Sequence, residues 1–371
     1  MSKNLSGNAW DKLDVKVITI VLLMAIFEFE IMTHARSLVD IAKQDAIFSI
    51  LLGGLLLILV TFLLVKLAIR FPDENLFQYS KKVWGKPIAL IIALAYLFYF
   101  FIFMVLLFQD FTNADRTLFL PRTPVLIPMI LMGFGAVWLA AYGIAAIVRF
   151  LLLVFPLFAV LMISLAILSL REVRLENLLP LFSNGFMPII KGAIMYVGVI
   201  QGVEVLLFIS PFLRRIDQSL KPALFGVVPV ILFMLVSSIN AIGILGVENV
   251  LEFAYPGIAI LSIVEISGFT VERYELFLTL PWLIAIFTTM CIYIYLLSYG
   301  IIEVFGLPNR KITIYLVTTA IIGMTYLIPN LAWTMVLRGY FNYFTLIFVA
   351  FIPICTLVLA MIRGKEGTNN A

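Results

Sequence analysis

Two glutamates interrupt the first long apolar run of the chain, which reads VLLMAIFEFEIMTH from Val21 to His34. An ionisable side chain within a membrane span is costly and usually marks a pathway or a pair. On a regular helix, residues two apart point about 200° from each other, so Glu28 and Glu30 could not both face a bundle interior. We predict that the helix is unwound around Phe29. The alternative is an intact helix at a seam between helices, with one glutamate neutral or paired across it.

A second interruption lies in the sixth apolar run, which reads GVIQGVE from Gly198 to Glu204 and is followed by Ser210 and Pro211. Glycine and polar residues loosen a helix inside a membrane, and Glu204 is a third carboxylate there. The first and sixth runs hold corresponding positions if the chain consists of two halves of five helices. Paired interruptions of this kind are the best indication in a sequence of a transporter site.

The composition of the 371 residues indicates a polytopic membrane protein. Apolar residues make up 63% and charged residues 12%, and the mean hydropathy is +1.14. Soluble domains carry roughly a quarter charged residues, so this chain has too few polar groups to cover a soluble surface. The net charge of +4 does not indicate nucleic-acid binding, because basic residues of membrane proteins lie in loops that orient the chain.

Ten apolar runs are long enough to cross a hydrocarbon layer about 30 Å thick, which needs ~20 helical residues. We predict the spans Val15–Arg36, Ala46–Ile69, Pro87–Phe111, Val125–Ala145, Val148–Leu170, Pro188–Leu213, Leu220–Gly246, Tyr274–Glu303, Ile312–Pro329 and Tyr340–Ile362. All should be helical, since lipid offers no partner for free backbone groups. The predicted fold is an all-α transmembrane domain over residues 1–371, with inverted five-helix halves at 15–170 and 185–362 and tails at 1–14 and 363–371.

Lysine and arginine counts predict the orientation of this bundle. Sixteen of these residues lie on the same side of the membrane as the N-terminus, and nine lie on the other side. Arg338 is one of the nine, because it falls in a loop between two predicted spans. Both termini are therefore expected in the cytoplasm. Residues 71–86 and 248–269 are expected to lie along the inner and outer surfaces, and Asp110 is expected to be solvated.

The sequence offers little for enzymatic chemistry. Cys291, Cys355 and the single histidine, His34, are too few for a disulfide framework, a four-ligand zinc site or a histidine-based triad. We find no nucleophile–base pair and no phosphate loop in the sequence. We predict a protein without catalytic residues, metal site or cofactor, which does not bind nucleic acid.

Three segments are expected to line one ligand site inside the bundle. They are Ala25, Phe27, Glu28, Phe29 and Glu30; Val199, Gln201, Gly202 and Glu204; and Thr288 and Thr289. Glu28 or Glu30 would recognise the ligand and a threonine would donate a hydroxyl, although such hydroxyls often bond to their own backbone. Glu204 is expected to stabilise the sixth span, by accepting backbone amides or a cross-helix hydroxyl, rather than to contact the ligand directly.

Several motifs recur in an order and spacing that resemble a known family. The clearest are VERYELFL at Val271–Leu278, Trp282, FTTMCIY at Phe287–Tyr293, and FGL at Phe305–Leu307; others are GVEVLLF at Gly202–Phe208, RTP at Arg122–Pro124, Arg149, Tyr255-Pro256, and THAR at Thr33–Arg36. Over essentially the whole chain, these motifs resemble the spore germination permeases, the B subunits of bacterial nutrient germinant receptors. That family is similar to the amino acid–polyamine–organocation (APC) transporters.

The resemblance implies a LeuT/APC-type fold with broken helices 1 and 6. It also implies a germinant-receptor subunit of the spore inner membrane that works with A and C subunits and binds an amino acid, amine or sugar. Relatives have a glycine-rich first break and a proline near His34, whereas Glu28 and Glu30 here would favour an amine, a cation or a hydroxyl-rich ligand. The alternatives are a proton- or sodium-coupled transporter of amino acids, amines or related solutes, and a membrane scaffold with a vestigial pocket.

Overall fold

The computed structural model describes residues 12–118, 122–263 and 275–367, which form helices joined by short connections. Among these residues no β-strand forms, apart from an isolated parallel bridge between Leu13 and Leu213. Helices satisfy their own backbone hydrogen bonds, as a chain surrounded by lipid requires. Residues 271–274 of the VERYELFL motif and residues 264–269 of the predicted outer surface segment lie outside the described residues.

The described α-helices follow one another along the chain, and six short 3₁₀ turns and one π segment lie between them. They are α1 Val17–Ile26, α2 Glu30–Ala42, α3 Ala46–Arg70, α4 Leu76–Trp84, α5 Lys86–Leu118, α6 Leu126–Ala141, α7 Ile144–Ser169, α8 Phe186–Val199, α9 Leu206–Ile209, α10 Leu220–Glu252, α11 Pro256–Ile263, α12 Glu275–Phe305, α13 Arg310–Tyr326, α14 Leu331–Leu346 and α15 Ile352–Ile362. The 3₁₀ turns Val203–Val205 and Ser210–Phe212 flank α9, and the π segment Ile347–Phe351 joins α14 to α15.

Within the described ranges, six helical segments are long and apolar enough to cross a membrane. A seventh is counted if the pair Phe186–Val199 and Val203–Phe212, bent by 46°, is one span. The molecule is therefore a multi-pass membrane protein, while the count of ten spans stays a prediction. The tenth predicted span begins earlier than expected, since α14 starts at Leu331, and α10 continues past the predicted end at Gly246 through a kink at that glycine.

Burial separates central from peripheral helices. Side chains of α12 from Thr288 to Leu297 are all buried, so this helix lies in the middle of the bundle. In contrast, α7 exposes a row of large apolar side chains that includes Leu153, Leu157 and Val160. Exposed apolar rows suit contact with lipid tails, which are as apolar as leucine.

The two interrupted segments meet near the centre of the bundle. The chain is not helical between Ile26 and Glu30, nor between Val199 and Val203. Gly202 lies in the second gap with φ +113°, and a Cβ atom there would stand 2.8 Å from the carbonyl carbon and oxygen of Ala25. Only glycine fits both the backbone conformation and this close approach.

Gly202→Ala tests this contact. We expect the variant to lose about 2 kcal/mol or more of stability, because it adds left-handed backbone strain to a clash with the Ala25 backbone. Thermal unfolding of the purified protein would measure the loss. The control is Gly323→Ala on α13, where an added Cβ meets no described atom within 4 Å. Equal stability of the two variants would contradict the close packing of the two gaps.

Candidate ligand site

A tight backbone turn and two side chains replace the missing helical hydrogen bonds in the gap between α1 and α2. The Glu28 N–H donates to Ile26 O at 2.8 Å, and the Phe29 N–H donates to the Glu28 side chain at 2.6 Å. The carbonyl of Met24 would accept from the Glu28 N–H in a regular helix. It accepts instead from the Thr289 hydroxyl at 3.0 Å, so α12 caps the end of α1.

The gap after α8 is satisfied in the same way. The Gly202 N–H donates to Glu204 Oε2 at 2.9 Å, and the carbonyl of Gly198, which it would have reached in a helix, accepts from Gln201 Nε2 at 3.0 Å. The Gln201 amide also lies 3.4 Å from Asn342 Oδ1 on α14. The Gln201 side chain therefore links this gap to α14 by hydrogen bonds.

Two tyrosines hold the other oxygen of the Glu204 carboxylate. Glu204 Oε1 accepts from the hydroxyl of Tyr99 on α5 at 3.0 Å and from that of Tyr293 on α12 at 2.6 Å. Glu204 thus has both kinds of partner expected for it, a backbone amide and cross-helix hydroxyls. Neither tyrosine was identified from the sequence, because each belongs to an apolar run rich in aromatic residues.

An arginine from α14 lies among three carboxylates beside the first gap. Arg338 Nε donates to Asp110 Oδ2 at 3.0 Å, and its Nη2 contacts the same oxygen. The same guanidinium lies 3.5 Å from Glu30 Oε1 and 4.0 Å from Glu28 Oε1. The expectations of a loop position for Arg338 and a solvated Asp110 were wrong: both side chains are buried, since each is the other's counter-ion.

The charges in this four-residue cluster do not balance. With all groups ionised, three carboxylates and one guanidinium would carry a formal charge of −2. Glu28 Oε1, Glu30 Oε1 and Arg338 Nη1 are buried without hydrogen-bond partners. Unpaired buried polar atoms are costly, so the cluster has unused capacity for both donor and acceptor groups.

A cavity of about 540 Å³ leads to this cluster between α2, α5 and α14, and it is also lined by the end of α10 and the connection that follows it. Its lining includes Asp110 and Arg338 together with Arg36, Asp40 and Tyr255, whereas Glu28 and Glu30 lie behind the ion pair. The arrangement can place a small polar molecule next to Arg338 and, once Arg338 moves, next to the two glutamates.

The structure brings together part of the predicted site. Ala25 contacts Gly202, and Thr289 contacts the end of α1. Thr288 donates instead to Ala285 O in its own helix at 2.8 Å. Phe27 lies against Phe158, with ring centroids 5.3 Å apart, rather than in the charged cluster. Phe29 and Val199 are also buried, and ligand contact by any of these residues stays a prediction.

Comparisons with known proteins agree in family and fold. A family described as "Spore germination protein" matches residues 12–332. Spore germination protein YndE of Bacillus subtilis (strain 168) is 25% identical over 291 residues, 77% of this chain and 79% of the relative. Spore germination protein B2 of the same organism is 24% identical over 345 residues, 91% of this chain and 92% of the relative.

Solved transporter structures share the fold. Mhp1, a nucleobase-cation-symport-1 family transporter in a closed conformation with bromovinylhydantoin bound, superimposes with a TM-score of 0.64 at 16% identity, covering 94% of this chain and 80% of Mhp1. MhsT in complex with L-phenylalanine gives a TM-score of 0.60 at 13% identity, covering 97% and 100% of the two chains. The expected all-helical, transporter-like fold is thereby confirmed.

Glu204→Ala is expected to reduce the amount of folded protein in the membrane. It removes the acceptor of two buried hydroxyls and one amide, and each orphaned group costs about 1–3 kcal/mol. Tyr293→Phe, which removes one of these bonds, should have a smaller effect, and Tyr315→Phe on the exposed surface of α13 is the control. Size-exclusion chromatography of solubilised membranes would measure the yield. Normal accumulation of Glu204→Ala with a shifted nutrient dose response would place Glu204 in the ligand contact shell instead.

Arg338→Leu is expected to destabilise the fold by about 3–5 kcal/mol, because it leaves buried carboxylates without their cation. Adding Asp110→Asn to this variant should restore part of the loss, since it removes one of the uncompensated charges. Thermal unfolding of both variants would show this, with Arg171→Leu at an exposed position as the control. A double variant no more stable than Arg338→Leu alone would contradict the pairing.

Proposed function

Because the chain belongs to the spore germination protein family, we propose that it is the transporter-like membrane subunit of a spore germinant receptor. In this function it binds a small nutrient and triggers germination together with A and C receptor subunits, in the spore inner membrane, with both termini in the cytoplasm. The names of its relatives and the fold of its structural neighbours support this function. The names are those of spore germination proteins and the fold is one that a transporter adopts, so we propose no enzymatic activity.

The proposed architecture has ten spans in two inverted halves, residues 15–170 and 185–362. In this arrangement α1 and α2 form the broken first span, and α8 with the segment 203–212 forms the broken sixth span. The contact between Gly202 and Ala25 supports it, since it brings together the interruptions of the two halves.

The observation that carries the ligand proposal is the position of the Arg338 guanidinium among Glu28, Glu30 and Asp110. The Arg338 guanidinium lies next to both glutamates, yet their Oε1 atoms accept no hydrogen bond. An ammonium group of a ligand would satisfy those atoms. Arg338 Nη1, which donates no hydrogen bond in the structure, would then donate to an oxygen of the same ligand. This bond offsets the repulsion that two glutamates alone would exert on an anion.

The nutrient is therefore proposed to carry both an amine and an acceptor oxygen, as amino acids and amino alcohols do. It would reach the glutamates through the cavity of about 540 Å³, with Arg338 moving away from the glutamates while it keeps its bond to Asp110. Sugars without an amine fit this cluster less well, because they leave the excess negative charge uncompensated.

Glu28→Gln and Glu30→Gln test this site. A thermal-shift screen of the purified protein against amino acids, amino alcohols, simple amines and sugars should show stabilisation by ligands that carry an amine. Each variant should bind such a ligand about tenfold or more weakly, the effect of losing one charge-assisted hydrogen bond. Glu248→Gln, an exposed position with the same charge change, is the control. Unchanged binding and germination response in both variants would show that the carboxylates are structural.

A proton- or sodium-coupled transporter is the second candidate, favoured by the shared fold and the buried carboxylates. Uptake of the radiolabelled ligand into proteoliposomes under a proton or sodium gradient separates the two functions. Gradient-driven accumulation by the purified chain would favour transport, whereas binding without accumulation would favour the receptor.

A further inference from the structure

A second and larger cavity lies along α1, and none of the four residues of the charged cluster lines it. It is a groove of about 1000 Å³ between α1, α7 and α10. Its walls are mainly apolar. They include Leu23 of α1, Phe27 directly after α1, Phe158 and Met162 of α7, and Phe225 and Phe233 of α10. The ligand proposed above does not suit these walls, because their apolar side chains offer its amine no partner and the one carboxylate of the lining, Asp217, lies at the end of the groove.

The polar groups of the groove gather at one end. Lys16, Asp217, Gln218 and Lys221 belong to the lining and are exposed. The Thr19 hydroxyl donates to Pro222 O at 2.9 Å, which sets the beginnings of α1 and α10 side by side. Lys16 and Lys221 therefore flank the same end of the groove. The lining has a formal net charge of +1 there, which suits an anionic group at its mouth.

The depth of the groove matches one leaflet of a bilayer. Helix α1 has 10 residues and so rises about 15 Å from the lysine end to the gap. This is half of a hydrocarbon core of about 30 Å. The wall formed by α7 continues into the exposed apolar row at Leu153, Leu157 and Val160, so the groove adjoins the surface that lipid covers.

We propose that this groove binds one acyl chain of an anionic phospholipid. The lipid would come from the leaflet in which α1 and α10 begin, with its phosphate between Lys16 and Lys221. The chain end would reach Phe27, whose ring packs edge-on against Phe158 and Phe233 at centroid distances of 5.3 and 5.1 Å. Phe27 is also the first residue of the gap after α1. A bound lipid would therefore support the gap at Phe27, without contacting the carboxylates.

The binding preference can be measured on the full chain by native mass spectrometry. The protein is purified in a mild detergent and titrated with phosphatidylglycerol or phosphatidylcholine that carry identical acyl chains. The wild-type chain should retain one phosphatidylglycerol in preference to phosphatidylcholine. Lys16→Gln with Lys221→Gln should weaken phosphatidylglycerol binding about 30-fold, since each lysine near an anionic lipid contributes about fivefold.

Two further variants locate the site. Ala159→Trp introduces a large ring into the groove wall and should abolish binding of both lipids. Lys86→Gln with Lys311→Gln makes the same charge change at the beginnings of α5 and α13, which do not line the groove, and should leave the wild-type preference intact.

Three results would overturn the proposal. One is equal retention of the two lipids by the wild-type chain. Another is an equal loss of phosphatidylglycerol binding in the two double lysine variants. The third is full lipid binding by Ala159→Trp. If that variant does not fold, the two lysine pairs decide the question alone, because all four positions are exposed and their substitution leaves the core unchanged.

Discussion

The fold depends on one constraint: backbone groups released inside a lipid-surrounded bundle must find partners within the protein. The two gaps release several such groups at the centre of the molecule. The Thr289 hydroxyl donates to the free carbonyl at the end of α1. At the end of α8, the Gln201 amide donates to a free carbonyl and the Glu204 carboxylate accepts from a free N–H. Each partner is a polar side chain that would be costly elsewhere in the membrane. The polar residues and the gaps therefore stabilise each other.

The same constraint separates the two faces of the first span. On one side, the carboxylates of Glu28 and Glu30 lie next to the Arg338 guanidinium, which is their nearby positive charge. On the other side, Phe27 packs among aromatic rings in an apolar groove. A regular helix could not direct three such close neighbours in this way. The gap lets Phe27 line an apolar groove while its neighbour Glu28 lies in a charged cluster.

The candidate site was only partly predictable. The interruptions near Glu28 and Gln201 are visible because polar residues stand out in apolar runs. Arg338 was misplaced because the sequence around it, LAWTMVLRGYFNYF, is polar enough to suggest the edge of a span. Its counter-ion Asp110 lies 228 positions away, and no local pattern links the two. The hydroxyl partners of Glu204 also lie far from it along the chain, 105 and 89 positions away, within apolar runs where tyrosines do not stand out.

The sequence by itself determined that this is a helical membrane protein, where its spans are interrupted, and which family it resembles. Those properties depend on the local balance of apolar and polar residues, and lipid tolerates few alternatives to helices. Only the tertiary structure decided which side chains meet in the gaps, that Arg338 neutralises part of a three-carboxylate cluster, and that Phe27 faces a groove. Such contacts depend on how distant helices pack, and the energy of a buried charge is set by its neighbours in space.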